Sequence, residues 1–258
     1  VLLLPGVIAV FTGPAGSGKS SLVEAYSEWA RRRLLLRVAV VNLDPGADKL
    51  LYNPTFDIRR LFTLREIMLR YNLGPNGAFI KASELIAEKS DEILSGEPFK
   101  NLDEWDIILV DTPGQMEAFL FRPASRVFLE KLRKISHAVL VYVIDASAIE
   151  RVSDAVLLWF LFVLLQVKTG LLAVPVINKR DIARNPRIAT LLVENPFKLL
   201  EEASEEGLSS EIISDLLSAA SKTRGAYRAV LVSALELDDM EKLHQLVHEA
   251  FCVCGDLT

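Results

Sequence analysis

Cysteine is nearly absent from this 258-residue chain: Cys252 and Cys254 are the only two. A pair one residue apart cannot build a disulfide framework, and a metal site would need a second pair that the chain lacks. Two reduced thiols are expected. Glycine and proline are modest, at 13 and 11, which excludes collagen-like and linker compositions. Basic charge is not in excess: 29 Lys and Arg face 34 Asp and Glu, for a net charge of −5. Nucleic-acid affinity rests mostly on Lys and Arg neutralising phosphates, so nucleic acid is not expected as the main partner; a net charge of this size does not exclude a local basic cleft for one anion. Long apolar runs are also missing. The densest, AVLLWFLFVLL at 155–165, lies between Asp154 and Gln166, short of the roughly 20 residues that span a bilayer as a helix. The opening VLLLPGVIAVF has no basic leader and no small-residue cleavage site. No membrane partner, no secretory signal and a cytoplasmic location are therefore expected.

Apolar residues are abundant, at 51%, which excludes disorder. Much of this content lies in short β-branched runs at 7–12, 37–42, 106–110, 138–144, 171–177 and 229–232. Several are apolar almost throughout, as parallel strands covered on both faces are. Helical patterns separate them. Leu22, Ala25, Tyr26 and Trp29 keep i, i+3, i+4, i+7 spacing, and Thr63-Leu-Arg-Glu66 reads as a capping box. Alternation of this kind predicts an α/β fold with a mostly parallel sheet flanked by helices. The reading is one domain, with a helical insertion at 183–227.

Gly13-Pro14-Ala15-Gly16-Ser17-Gly18-Lys19-Ser20 fits the phosphate-loop pattern G-x-x-x-x-G-K-[ST], after an apolar strand and before an amphipathic helix. Glycines let the backbone wrap an anion, with N–H groups and the helix N-terminus aimed at phosphate oxygens. Lys19 is then placed to reach the β- and γ-phosphates and the Ser20 hydroxyl to ligate Mg²⁺, with Ser21 beside it. The strand ending at Asp111 leads into Thr-Pro-Gly114-Gln115. An acid at the carboxyl end of a buried strand lies where such sheets bind ligands. Asp111 is expected to hold Mg²⁺ through water, and the Gly114 N–H to contact a γ-phosphate.

Asn178-Lys179-Arg180-Asp181 is an N-K-x-D box. A carboxylate at Asp181 can accept both the N1–H and N2–H₂ of guanine, whereas adenine presents an acceptor there and would leave the charge unpaired. Asn178 would brace the loop and the Lys179 stem would lie along the base. A backbone N–H of Ser233-Ala234-Leu235 would meet guanine O6. GTP and GDP are the predicted ligands. A nucleoside or polynucleotide kinase would need an Arg-rich lid and no guanine box. A partition-type ATPase would carry Lys where Pro14 stands.

Together these boxes resemble the P-loop GTPases. Gly74-Pro75-Asn76-Gly77, lying between the second strand and the DTPGQ box, narrows the resemblance to the GPN-loop GTPases of archaea and eukaryotes. The segments Val41-Asn-Leu-Asp44-Pro45-Gly46-Ala47, Phe56-Asp57-Ile58-Arg59, Glu66-Ile67-Met68, Asp111-Thr-Pro-Gly-Gln-Met-Glu117 and Cys252-Val-Cys254-Gly-Asp-Leu257 resemble that family too. By itself Gly-Pro-Asn-Gly is a good turn sequence. The resemblance implies a Mg²⁺-dependent GTPase acting as a homodimer, with Gly74, Pro75 and Asn76 reaching the partner's site and Asn76 stabilising phosphate there. It implies Asp44 near Mg²⁺ and water, and Gln115 and Glu117 orienting the attacking water. Asp44 could instead cap a turn, and Glu117 could simply favour a helix dipole. A slow-turnover, nucleotide-gated assembly factor for an unidentified protein client is the alternative to a turnover enzyme. In a dimer, the apolar helix around 155–165 is expected at the subunit interface or deep beneath the sheet edge.

Overall fold

The computed structural model describes residues 6–205, 212, 215 and 228–255, without the side chains of 197, 200, 204, 205 and 252–255. Among them, seven strands form one sheet: β1 Val7–Thr12, β2 Val38–Asn42, β3 Phe56–Asp57, β4 Ile107–Asp111, β5 Ala138–Asp145, β6 Ala173–Asn178 and β7 Val230–Leu231. Their order is β3-β2-β4-β1-β5-β6-β7, and every neighbouring pair is parallel. The α/β expectation therefore holds, and six strands fall within two residues of the predicted runs. The seventh, β3, is two residues long, too short to carry a hydrophobic period.

The central strands β1, β2 and β4 are buried at every position, because helices cover both faces. On one side lie α1 Lys19–Arg33 and α10 Met240–Gly255, whose apolar stripes pack on Ala9, Phe11, Leu109 and Val141. On the other lie α2 Leu64–Tyr71, α3 Pro75–Glu88, α5 Met116–Leu120, α6 Pro123–Ile135 and α7 Val152–Thr169, over Ile8, Val10, Ile108 and Leu140. The short α4 Ser90–Leu94 follows α3. At the start of α2, Thr63 Oγ1 accepts from Glu66 N–H at 3.2 Å and Glu66 Oε2 accepts from Thr63 N–H at 2.7 Å, a reciprocal cap.

Gly74-Pro75-Asn76 begins a helix instead of forming a free turn. Gly74 is the N-cap of α3 and Pro75 stands at the first helical position, where its missing N–H has no partner to lose. Part of the predicted insertion forms α8 Pro186–Glu194 and α9 Pro196–Glu205, packed on α7. Its remaining stretches, 206–211, 213–214 and 216–227, lie outside the described residues, as do the Cys252 and Cys254 side chains and Asp256 and Leu257.

Helix α7 turns Ala155, Trp159, Phe162 and Val163 into the core, while Leu157 (69% exposed), Leu164 (55%) and Val167 (73%) face outward. At 18 residues and a mean hydropathy of 1.7, it is long and apolar enough to cross a membrane by length and composition. That is longer than the 155–165 run suggested, because Val152 and Val167 extend it at both ends. A core helix of a parallel α/β sheet passes the same test.

Candidate active site

The sheet order sets the ends of β1, β4, β5 and β6 side by side, bringing together the segments that follow Thr12, Asp111, Asp145 and Asn178. Two glycines are obligatory in the phosphate loop. Gly13 has φ +153°, and a Cβ there would lie 2.2 Å from Val143 O. Gly18 has φ +84°, and a Cβ would lie 2.6 Å from Asn178 Nδ2. The loop is thus pressed against both β5 and the N-K-x-D box. Ala15 and Gly16 are exposed at its tip, and Ser21 is exposed in the first turn of α1.

Lys19 is buried, and its Nζ donates to Gly13 O (2.9 Å), Pro14 O (3.0 Å) and Gly114 O (3.2 Å). Burial pushes its pKa down, against the pull of the facing carboxylates of Asp111, Asp44 and Glu117. The ammonium therefore already links the phosphate loop to the DTPGQ segment.

Asp111 is fully buried. Its Oδ2 accepts from the Tyr52 hydroxyl at 2.7 Å, while Oδ1 has no hydrogen-bond partner in the protein. Burial pushes its pKa up to about 6, opposed by the Ser20 and Tyr52 hydroxyls and by Lys19. A hard cation beside Ser20 would satisfy that orphaned oxygen, so the donors present fit Mg²⁺. Among the described residues no three His, Cys, Asp or Glu side chains gather as a metal cluster. Magnesium drawing most of its ligands from phosphates and water needs no such cluster.

Asp44 does two things at once. Its Oδ1 accepts from Gly46 N–H at 2.8 Å, a turn cap, and its Oδ2 accepts from Gly114 N–H at 2.9 Å, 70 residues away. The carboxylate holds the very donor expected to meet a γ-phosphate. Behind it, Asn42 Oδ1 accepts from Asp44 N–H at 3.0 Å, and Asn42 Nδ2 donates to Asp57 Oδ1 at 2.9 Å. Arg59 forks onto Asp57 and donates to Ala47 O at 2.8 Å, so the 44–48 loop is held from two sides. Gln115 Nε2 donates to Asn76 Oδ1 at 3.3 Å, bringing the start of α3 onto the same rim. The charge of Glu117, exposed in the first turn of α5, pulls the pKa of both Lys19 and Tyr142 upward.

At the base end Asn178 is buried, with Nδ2 donating to Ser17 O (3.2 Å) and Oδ1 accepting from Ala234 N–H (3.1 Å). One side chain therefore couples the phosphate loop to the Ser233-Ala234-Leu235 segment. Asp181 Oδ1 accepts from the Ser233 hydroxyl at 2.6 Å. Lys179, held at φ +65°, donates to Asp145 Oδ2 at 2.6 Å. Burial pushes Asp145 up, but Lys179 and Ser147 more than offset it and hold the carboxyl below its usual range. Arg180 pairs with Asp238 (2.6 Å) and Asp239 (3.2 Å), clamping the loop that Leu235 tips at 85% exposure.

Sequence reasoning did not single out Tyr52, Asp145 or the Arg180 clamp, and it placed Asn42 and Arg59 only within segments of family resemblance, without a role. Asp145 had a signal, an acid ending an apolar strand as Asp111 does. Tyr52 had none, since its role depends on a contact 59 residues away.

Residues 11–253 match a family model described as a conserved hypothetical ATP binding protein. The chain is 31% identical to the GPN-loop GTPase PAB0955 of Pyrococcus abyssi over 258 positions, covering 98% of this chain and all of that one. It is 28% identical to GPN-loop GTPase 1 of Schizosaccharomyces pombe over 96% of this chain and 64% of that protein. It is 35% identical to GPN-loop GTPase QQT2 of Arabidopsis thaliana over 66% of this chain and 45% of that one. These eukaryotic relatives are the longer proteins. The crystal structure of PAB0955, a GTPase in apo form, superposes with a TM-score of 0.79 at 29% identity, covering 96% of this chain and 99% of that one.

Proposed function

The chain belongs to the GPN-loop GTPases and is a GTP hydrolase, and from that premise we propose that it works as a Mg²⁺-dependent homodimer whose Gly-Pro-Asn loop completes the partner's site. The observation that carries the nucleotide reading is Asn178, which joins the phosphate loop to the base loop, so that one nucleotide is gripped at both ends. Guanine is selected by Asp181, whose carboxylate Ser233 steadies at 2.6 Å. The family model's description names ATP, but a carboxylate in this place would repel the adenine edge.

The phosphate-loop N–H groups and Lys19 hold the β- and γ-phosphates. Ser20, Asp111 and Asp44 would hold Mg²⁺, which when bound neutralises charge on those phosphates. Lys19 leaves its carbonyl cage for phosphate oxygens, and Gly114 N–H exchanges the Asp44 carboxylate for the γ-phosphate. Asp44 is thereby freed toward the metal and water side. Gln115 and Glu117 orient the attacking water, and Asn76 adds a neutral donor where charge develops. The exposure of Gly74, Pro75 and Asn76 supports a loop that can meet a second subunit.

The test is Asp181→Asn. Replacing the carboxylate with an amide exchanges an acceptor for a donor, so preference should move from GTP toward xanthosine triphosphate by about a hundredfold or more. Unchanged base selectivity would sink the assignment.

A further inference from the structure

The guanine box gives roles to Asn178, Lys179 and Asp181 and none to Arg180, the position that the N-K-x-D pattern leaves free. Its backbone N–H donates to Val232 O at 3.0 Å, where the chain leaves β7 for the Ser233-Ala234-Leu235 segment. Its guanidinium meets the other end of the same loop. Nη1 donates to Asp238 Oδ2 at 2.6 Å and to Asp239 Oδ2 at 3.2 Å, just before α10 begins at Met240. Arg180 therefore grips the loop at its entry and at its exit.

The loop needs such a grip. Leu237 and Asp239 stand at φ +57° and +56°, a region that L-residues hold only where their surroundings over-determine it. Asp238 and Asp239 set two carboxylates side by side, which repel unless a cation lies against them. Leu235 and Leu237 are both exposed, so their side chains add little packing. The remaining ties are few: Asp238 N–H to Ser233 O at 3.1 Å, Asn178 Oδ1 to Ala234 N–H at 3.1 Å, and Lys242 against Asp239 at 2.8 Å.

Ser233 links this loop to the base-reading carboxylate. Its hydroxyl oxygen accepts from Glu236 N–H at 3.1 Å and its proton goes to Asp181 Oδ1 at 2.6 Å. A displaced loop would carry that hydroxyl away from Asp181.

We propose that Arg180 is a positioning residue for the guanine site: by fastening Asp238 and Asp239 to the box that contains it, it keeps the Ser233 hydroxyl on Asp181 and the 233–235 N–H groups at the base, and so sets how long a bound guanine nucleotide stays. This inference rests on the guanine reading of Asp181 given above. The guanidinium is 48% exposed, so its hold is ionic and open to screening by salt.

That sensitivity gives the clamp a signature that a packing role would not have. Release of GDP carrying a fluorescent ribose label is followed for the full chain, Arg180→Ala, Arg180→Lys, the pair Asp238→Asn with Asp239→Asn, and the triple variant. Each is measured in about 0.05 M and about 1 M NaCl, the second of which shortens the screening length to about 3 Å. In low salt Arg180→Ala should release GDP about fivefold faster than the parent, and in high salt less than about twofold faster. Arg180→Lys should restore most of the difference, because a single nitrogen serves both carboxylates. The triple variant should release GDP no faster than Arg180→Ala, since all three residues act through one contact. The melting temperature should move little, because the pair is exposed.

Equal release from the parent and Arg180→Ala in low salt overturns this inference alone. So does a difference that persists in high salt, a large fall in melting temperature, or losses that multiply in the triple variant. A parent chain that binds adenine nucleotides as well as GDP overturns the guanine reading and this inference with it.

Discussion

Gln115 Nε2 donates to Asn76 Oδ1 across 3.3 Å, joining two motifs that lie 39 residues apart in the chain. The first turn of α3 thus sits on the rim of the site that the same chain's phosphate loop forms. A loop so placed can act on its own site or be handed to a partner's, and the two arrangements are separable.

Mixing two inactive variants distinguishes them. Lys19→Ala removes the phosphate-binding ammonium and Asn76→Ala the loop's amide. In a mixed dimer with loops in trans, the subunit retaining Lys19 receives an intact Asn76 from its partner. Steady-state GTP hydrolysis should therefore reappear on mixing, at up to about a quarter of the parent rate if subunits exchange at random and each loop serves only its partner. No recovery after verified subunit exchange would show that the loop serves its own chain.

Asp111 ties stability to pH. Its carboxyl is pushed up to about 6 in the folded, nucleotide-free protein, against an ordinary value of 3.8. Folding thus favours the protonated form, and this group's contribution to stability should grow as pH falls from about 7 toward about 4, so that the parent gains on a variant lacking it. Asp111→Asn has no such charge to bury and should be more stable near neutrality, by up to about 2 kcal/mol, while losing Mg²⁺-dependent hydrolysis. Thermal melts in EDTA at several pH values check this. A gap between variant and parent that widens toward pH 5 would contradict the sign.

The outer face of α7 tests the dimer. Leu157 and Leu164 lie two helical turns apart and are 69% and 55% exposed in the single chain. We expect a homodimer to bury this face, so Leu164→Glu should shift the sedimentation of the protein toward the monomer. Its melting temperature should change little, because the side chain is not in the monomer's core. An unaltered dimer would place the interface elsewhere.

Much of the fold was legible because buried parallel strands leave a local mark, an apolar run with its ligand-binding end set by Gly, Asp or Asn. β3 left none, being two residues long. By composition alone Gly-Pro-Asn-Gly suits a turn. The chain uses the same properties differently: the fixed φ and missing N–H of Pro75 also suit the first turn of a helix.

What the sequence by itself determined was an ordered set of chemistries: a phosphate loop, an acid at the end of β4, a guanine box, and the family that carries them in that order. Each is written in a few consecutive residues whose backbone geometry is local. Only the tertiary structure decided which groups meet. Asp44 caps Gly114 because β2 and β4 are neighbours, and Tyr52 reaches Asp111 from a loop between β2 and β3. Arg180, the variable position of the guanine box, clamps Asp238 and Asp239. Such contacts join residues about 58 to 70 positions apart, across a strand order that differs from chain order, and no local period encodes that.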